Sequence, residues 1–318
     1  MRRRLLLLAP MLASPALVRA AAWPTRPVRL IMPGGPGGNP DIVARLWAQR
    51  LSERLGQPVM VENRPGAAGI IGTEAAMNAA PDGHTMLFGY NQLVTLNPLL
   101  YRRLPYDVSR MTRVSLVSEA PFVMLAPMSL PARNVGEFVA LAKAAPGRLA
   151  FGTAGPGTFA HLSGEILMRE AGIELLHVPH RQTPRNELIA GQVQACFEPS
   201  ALAITLAGGP EPKVRALAVM GQETLPELPG VPLMAESYPG FVVQIFHGLW
   251  GPPGMAPEAV AGMSAAVAEL ARDPWLLERM APLATKVIGA GPAALEAAMV
   301  RDLALWAPVI RDRDIRLD

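Results

Sequence analysis

Two glycine-rich turns are where this chain can do chemistry. The first is Pro33-Gly34-Gly35-Pro36-Gly37-Gly38-Asn39-Pro40-Asp41, and the second is Gly152-Thr153-Ala154-Gly155-Pro156-Gly157-Thr158. Each follows a short apolar run that reads as a strand, and each precedes a helical pattern. A helix start presents backbone N–H groups that lack intrahelical acceptors, and the positive end of the helix dipole lies there too. That combination holds anions. Two such turns, far apart in sequence, predict one small anion gripped from both sides. Neither turn contains Lys or Arg, so backbone N–H groups and threonine hydroxyls must hold the charge.

Signatures of catalysis are missing. No Gly-x-Ser-x-Gly marks a nucleophile elbow. No His-Glu-x-x-His and no cysteine pair mark a zinc site. The first turn lacks the Gly-Lys-Ser/Thr of a phosphate loop and the last glycine of the dinucleotide fingerprint. No metal or cofactor is expected. His84, His161, His177, His180 and His247 are scattered and read as ordinary polar packing. His161 differs by its place in the first helical turn behind the second loop, within reach of a ligand. Tyr90-Asn91-Gln92 follows a strand; it is either a source of side-chain hydrogen bonds or a plain turn. Cys196, the only cysteine, lies between Ala195 and Phe197 and reads as a buried apolar side chain.

These turns need a frame, and the pattern supplies one. Strands are expected over 28–32, 59–62, 85–89, 122–126, 149–153, 175–178, 193–197, 214–220 and 242–250. Between them lie helical patterns. Asn39 is expected to cap the first helix, with Pro40 at its first position. Val43, Trp47, Leu51 and Leu55 then repeat every four residues as one buried face. Further helices are expected over 72–80, 135–145, 159–171, 257–272 and 292–310. Asn134 with Glu137 starts the one at 135 in the manner of a capping box, and Thr158 caps the one at 159. Alternating strands and helices argue for an α/β architecture with mostly parallel sheets. The extended stretches near 122–127 and 242–250 are the expected crossings between two lobes.

The first 22 residues read as a cleaved secretory signal. Arg2-Arg3-Arg4 precedes an apolar stretch to Val18, with small residues around Ala20 for cleavage. The Sec and twin-arginine routes are both open. The formal charge is +3. Losing the four leader arginines (Arg2, Arg3, Arg4 and Arg19) makes it −1, so no general attraction to nucleic acid or membrane is expected. The mature protein is expected to be exported, and to be a monomer.

Several motifs together resemble a known family. Pro27-Val28-Arg29-Leu30-Ile31-Met32-Pro33, Asp41-Ile42-Val43-Ala44-Arg45 and Val61-Glu62-Asn63-Arg64-Pro65-Gly66-Ala67-Ala68-Gly69 are similar to segments of the tripartite tricarboxylate transporter receptors, or Bug family. So are Asn97-Pro98-Leu99-Leu100-Tyr101, Leu104-Pro105-Tyr106-Asp107, Pro229-Gly230-Val231-Pro232 and Ile315-Arg316-Leu317-Asp318. The resemblance implies a two-lobe periplasmic binding protein of the Venus-flytrap type, with lobes of 23–122 plus 246–318 and of 123–245. It implies a small organic carboxylate as ligand, and a large and a small membrane subunit of a transporter as partners. By resemblance, Gly37, Gly38 and Asp41 face the ligand on one side, and Thr153, Ala154, Gly155, Gly157 and Thr158 on the other.

Three segments depart from the family pattern. They are Gly37-Gly38-Asn39-Pro40-Asp41, Pro179-His180-Arg181-Gln182 and Phe197-Glu198-Pro199. They add Arg181 and Glu198 to Tyr90, Asn91 and His161 as expected ligand contacts, and Ser200, next after the last segment, is expected to be one too. Arg181 is expected to address the far end of the ligand. Glu198 is either a determinant of ligand class or a solvated rim carboxylate. A ligand-sensing adaptor for a membrane kinase, and a periplasmic enzyme using Asp41, Glu198 or His161 as acid or base, are the alternative functions.

Overall fold

The computed structural model describes residues 23–317. The expected signal at 1–22 lies outside the described residues. Among the described residues, ten strands run in chain order as β1 (Val28–Met32), β2 (Val59–Asn63), β3 (Thr85–Tyr90), β4 (Thr112–Pro127), β5 (Ala150–Thr153), β6 (Leu176–Pro179), β7 (Ala195–Pro199), β8 (Val214–Val219), β9 (Gln244–Gly251) and β10 (Lys286–Ala290). The helices are α1 (Asn39–Leu55), α2 (Ile70–Met77), α3 (Asn97–Leu100), α4 (Val135–Ala144), α5 (Phe159–Ala171), α6 (Arg185–Ile189), α7 (Ser200–Ala207), α8 (Met234–Ser237), α9 (Pro257–Leu270), α10 (Pro274–Met280) and α11 (Pro292–Asp312).

One strand ties the sheet together. β4 is 16 residues long, where the sequence pattern showed only its second part. Its residues from Thr112 to Pro121 pair with β9, and β10 lies along the same part. Its residues from Phe122 to Pro127 pair with β7 and β8. The first half of the sheet adds β1, β2 and β3, and the second adds β5 and β6. β1 is parallel to β2 and β3, and β5 is parallel to β6 and β7. Pairs made by β4 and β9 are antiparallel. The sheets are therefore mixed rather than mostly parallel, because a strand shared by both halves fixes its own direction in each.

Those directions decide where the turns go. β3 runs antiparallel to β9, and β9 antiparallel to β4. Hence β1, β2 and β3 run the same way as β4, and their C-terminal ends point at the crossing. β7 runs against β4, and β5 and β6 run with β7. Their C-terminal ends point back at the same crossing. Helices α1 and α2 start from the first edge, and α5, α6 and α7 from the second.

Each half has an apolar core. Val28, Leu30, Val43, Trp47, Leu51 and Phe88 pack in the first, which confirms the expected buried face of α1. Phe122, Phe138, Phe151, Leu162 and Phe197 pack in the second. Helix α11 serves both. Leu295, Ala298 and Met299 pack with Ile31, Leu87 and Trp250, while Trp306, Val309 and Ile310 join the second core. The return segment therefore does not rest on the first half alone. Cys196 is buried and unpaired, as expected.

Candidate functional site

The two edges face each other across the β4 crossing. Tyr90, at the end of β3, is level with His247 and through it with Ser118. Pro199, at the end of β7, is level with Phe122. Four residues of extended chain separate those levels, about 13 Å at ~3.3 Å per residue. That spacing suits a small ligand.

The first turn is braced from inside. Gly37 has φ +81°, a left-handed conformation that glycine adopts without strain. Its N–H donates to Asp41 Oδ2 at 2.9 Å. Arg45 Nε donates to the same oxygen at 3.0 Å, and Asn63 Nδ2 to Oδ1 at 2.7 Å. Asn63 also donates to the Gly34 carbonyl at 3.0 Å. Asp41 is buried. Burial pulls its carboxyl upward, but the bonds from Arg45, Gly37 and Asn63 outweigh that and hold it below the usual carboxylate range. Three protein donors occupy the group, so it shapes its own turn. Gly38, not Asn39, is the N-cap of α1, and no side chain caps it. The bond from Gly37 to Asp41 closes the turn and brings the chain into the helix one residue early. Gly35 to Gly38 are exposed at the edge.

The second turn is braced the same way, but by histidines. Thr153 is buried; its Oγ1 lies 2.7 Å from His177 Nε2 and accepts from Gly155 N at 3.1 Å. Gly157 N donates to His161 Nδ1 at 3.2 Å. Thr158 caps α5 as expected: its Oγ1 accepts from His161 N at 3.3 Å and donates to Gly155 O at 2.8 Å. The His161 and His177 rings lie 4.3 Å apart, and Phe151 stacks on both. Burial, with the nearby His177, pushes His161 down to about 4. It is neutral at physiological pH, with Nδ1 accepting, so its proton sits on Nε2. That nitrogen faces Glu165 Oε1 at 3.6 Å, and Glu165 Oε2 meets Arg313 Nε at 2.9 Å. Ala154 and Pro156 form the exposed crest of the turn.

The remaining expected contacts divide. Tyr90 is half-buried against the first core. Asn91 is fully buried, and its Nδ2 donates to Gln244 O at 2.9 Å and Asp302 Oδ1 at 3.2 Å. It faces the protein interior at the crossing. Ser200 is buried too, and donates to Ala284 O at 3.0 Å, joining the two halves. Arg181 is exposed in a groove with Thr183, Arg185 and Glu187. Glu198 is not a solvated rim group: it is 5% exposed, and burial pushes its carboxyl up to about 8 against the pull of Arg185. Sequence reasoning missed Asn63, His177, Glu165 and Arg313. His177 had a findable signal, since its strand pairs with the one that ends in Thr153.

Known proteins share this fold. Residues 43–315 match the family described as "Tripartite tricarboxylate transporter family receptor". The structure of the periplasmic binding protein BugD is 31% identical, with a TM-score of 0.73 over 93% of this chain and 100% of that one. R. palustris Rpa4515 with adipate is 28% identical, with a TM-score of 0.77 over 93% and 100%. MatC (Rpa3494) from Rhodopseudomonas palustris with bound malate is 29% identical, with a TM-score of 0.73 over 91% and 100%. With its α/β halves joined through a shared strand, this chain belongs to the tripartite tricarboxylate transporter receptors, a family of periplasmic solute-binding proteins and not of enzymes.

Proposed function

We propose that this chain is a periplasmic receptor that captures a small organic carboxylate between two lobes, 23–122 with 246–318 and 123–245, after export directed by residues 1–22. One observation carries the reading: the Gly37–Gly38 and Ala154–Thr158 turns begin α1 and α5 on opposed edges of the crossing. The N–H groups of Gly37, Gly155 and Gly157 are engaged within the turns, so an incoming anion meets the N–H groups at the helix starts, those of Gly38, Asn39, Thr158 and Phe159, and two helix dipoles. Hydrogen bonds to a charged group contribute about 1.5–3 kcal/mol each. A few of them reach about −8 kcal/mol, which is micromolar affinity. Relatives solved with adipate and malate support a carboxylate as ligand. The family name points to the large and small membrane subunits of a tripartite transporter as partners.

Thermal unfolding with a panel of mono- and dicarboxylates, amino acids and neutral analogues tests the reading. A ligand at a hundred times its Kd adds about 2.7 kcal/mol of stability, so at least one carboxylate should raise Tm by several degrees. Its amide analogue should not. A panel in which no carboxylate stabilises the protein refutes the proposal.

A further inference from the structure

The C-terminal segment of the chain runs to the second ligand turn. Past α11 the backbone reverses at Asp314, whose φ of +46° is left-handed. Chain ends are usually loose unless tied down, and this one is tied at three successive residues. Ile315 N donates to Ile310 O at 3.0 Å, and its side chain packs on the second core. Arg316 Nη1 donates to Leu99 O at 2.6 Å, and Leu317 N donates to Leu100 O at 3.1 Å. Leu99 and Leu100 belong to α3, which follows β3 of the first half. The side chain of Leu317 lies over Gly157: a Cβ there would meet Leu317 Cδ1 at 2.9 Å and Leu100 Cδ1 at 3.3 Å. Gly157 has φ +74°, so the chain end and α3 close on bare backbone.

A second route reaches the same residue through side chains. Arg313 Nε meets Glu165 Oε2 at 2.9 Å. Burial raises the Glu165 carboxyl, and Arg313 pulls it back toward its charged form. Glu165 Oε1 faces His161 Nε2 at 3.6 Å, an electrostatic contact longer than a hydrogen bond. His161 Nδ1 accepts the Gly157 N–H at 3.2 Å, which requires the ring proton to stay on Nε2. The partner of one ring nitrogen sets the protonation of the other. The neighbouring His177 ring is engaged with Thr153, and Glu165 is the carboxylate on the Nε2 side of His161. With the Gly157 N–H drawn inward, those of Thr158 and Phe159 stand at the helix start for an anion. Resting on the receptor reading above, we propose that residues 313–317 set the binding shape of the second turn: Arg313 is a positioning residue that acts through Glu165 and His161, and Leu317 seats Gly157 against α3. A turn of the second half thus takes its shape from α11, which both cores share, and from chain of the first half.

The test begins with the unliganded protein. Nitrogen NMR of the histidine rings should show His161 in the Nε2–H tautomer, and the Gly157 amide should exchange slowly with solvent. Arg313→Ala should mix the tautomers and speed Gly157 exchange about tenfold, with little change in the urea midpoint. Arg313→Lys should restore both. Leu317→Ala should speed Gly157 exchange and leave the tautomer in place. Calorimetry with malate and adipate, the acids in two solved relatives, should show binding about tenfold weaker in Arg313→Ala and recovered in Arg313→Lys. An unchanged tautomer and an unchanged Gly157 exchange rate in Arg313→Ala overturn the proposal. So does an altered turn that binds either acid as tightly as before. Faster exchange throughout the second half, with a lowered urea midpoint, also overturns it, because the ion pair then serves stability alone. If no carboxylate binds the wild type, the receptor reading fails, and the unliganded spectra decide separately whether residues 313–317 shape the turn.

Discussion

At the residue scale, the two turns are held open by their own side chains. Asp41 ties the first, and Thr153, Thr158, His161 and His177 tie the second. Thr158 was legible from sequence because a hydroxyl before an apolar helical run is a local signal. The His161–His177 pair was not, because its members meet only once β5 and β6 pair. The orientation of Asp41 was hidden for the same reason: Asn63 reaches it from β2. The hydroxyl of Thr158 is fully used, accepting from His161 N and donating to Gly155 O. Thr158→Val should therefore lower stability by about 1 kcal/mol, the usual value of a lost cap. It should also weaken carboxylate binding through the shape of the turn, and Thr158→Ser should restore both. Urea unfolding and calorimetry measure the two effects. A stability loss with unchanged affinity makes Thr158 a cap and nothing more.

At the element scale, β4 and α11 hold the halves together. The strand was half legible. Bulges between Arg113 and Ser115 and between Leu116 and Ser118 break the period-two alternation of its first part, so 112–121 lacked a clean strand pattern. The bounds of α1, α4, α5 and α9 came within a few residues, since their apolar faces repeat regularly. What spacing could not show is that α11 changes cores midway. At the change lies Asp302, buried, accepting from Trp306 Nε1 at 2.9 Å, from Asn91 Nδ2 at 3.2 Å and from the Thr95 hydroxyl. Burial pushes it up to about 6 against these bonds. Asp302→Ala should cost about 1–3 kcal/mol for each buried donor left unpaired. Asp302→Asn should cost far less, because Thr95 can turn its proton to Asn91 O at 2.8 Å and accept from the new amide. The raised carboxyl contributes stability that is present at about pH 4 and lost as pH rises through about 6. Asp302→Asn should flatten that loss. Equal destabilisation by both variants would show that the cluster serves packing rather than hydrogen bonding.

At the scale of the whole molecule, the shared strand turns two sets of parallel strands to face one another. Their direction follows from the antiparallel pairs at the crossing, which no local pattern announces. The family motifs stood in for that information at the sequence level and led to the right fold. They did not reveal which site residues are engaged within the protein, as Asn91, Ser200 and Asp41 are. The central claim is that one carboxylate is held by both turns at once. Amide NMR of the isotope-labelled protein during a titration with the best-stabilising carboxylate tests it most directly. The account predicts concerted, saturable shifts of the Gly37, Gly38 and Asn39 amides together with those of Ala154, Gly155, Thr158 and Phe159. Saturation that moves one set and leaves the other in place would contradict it.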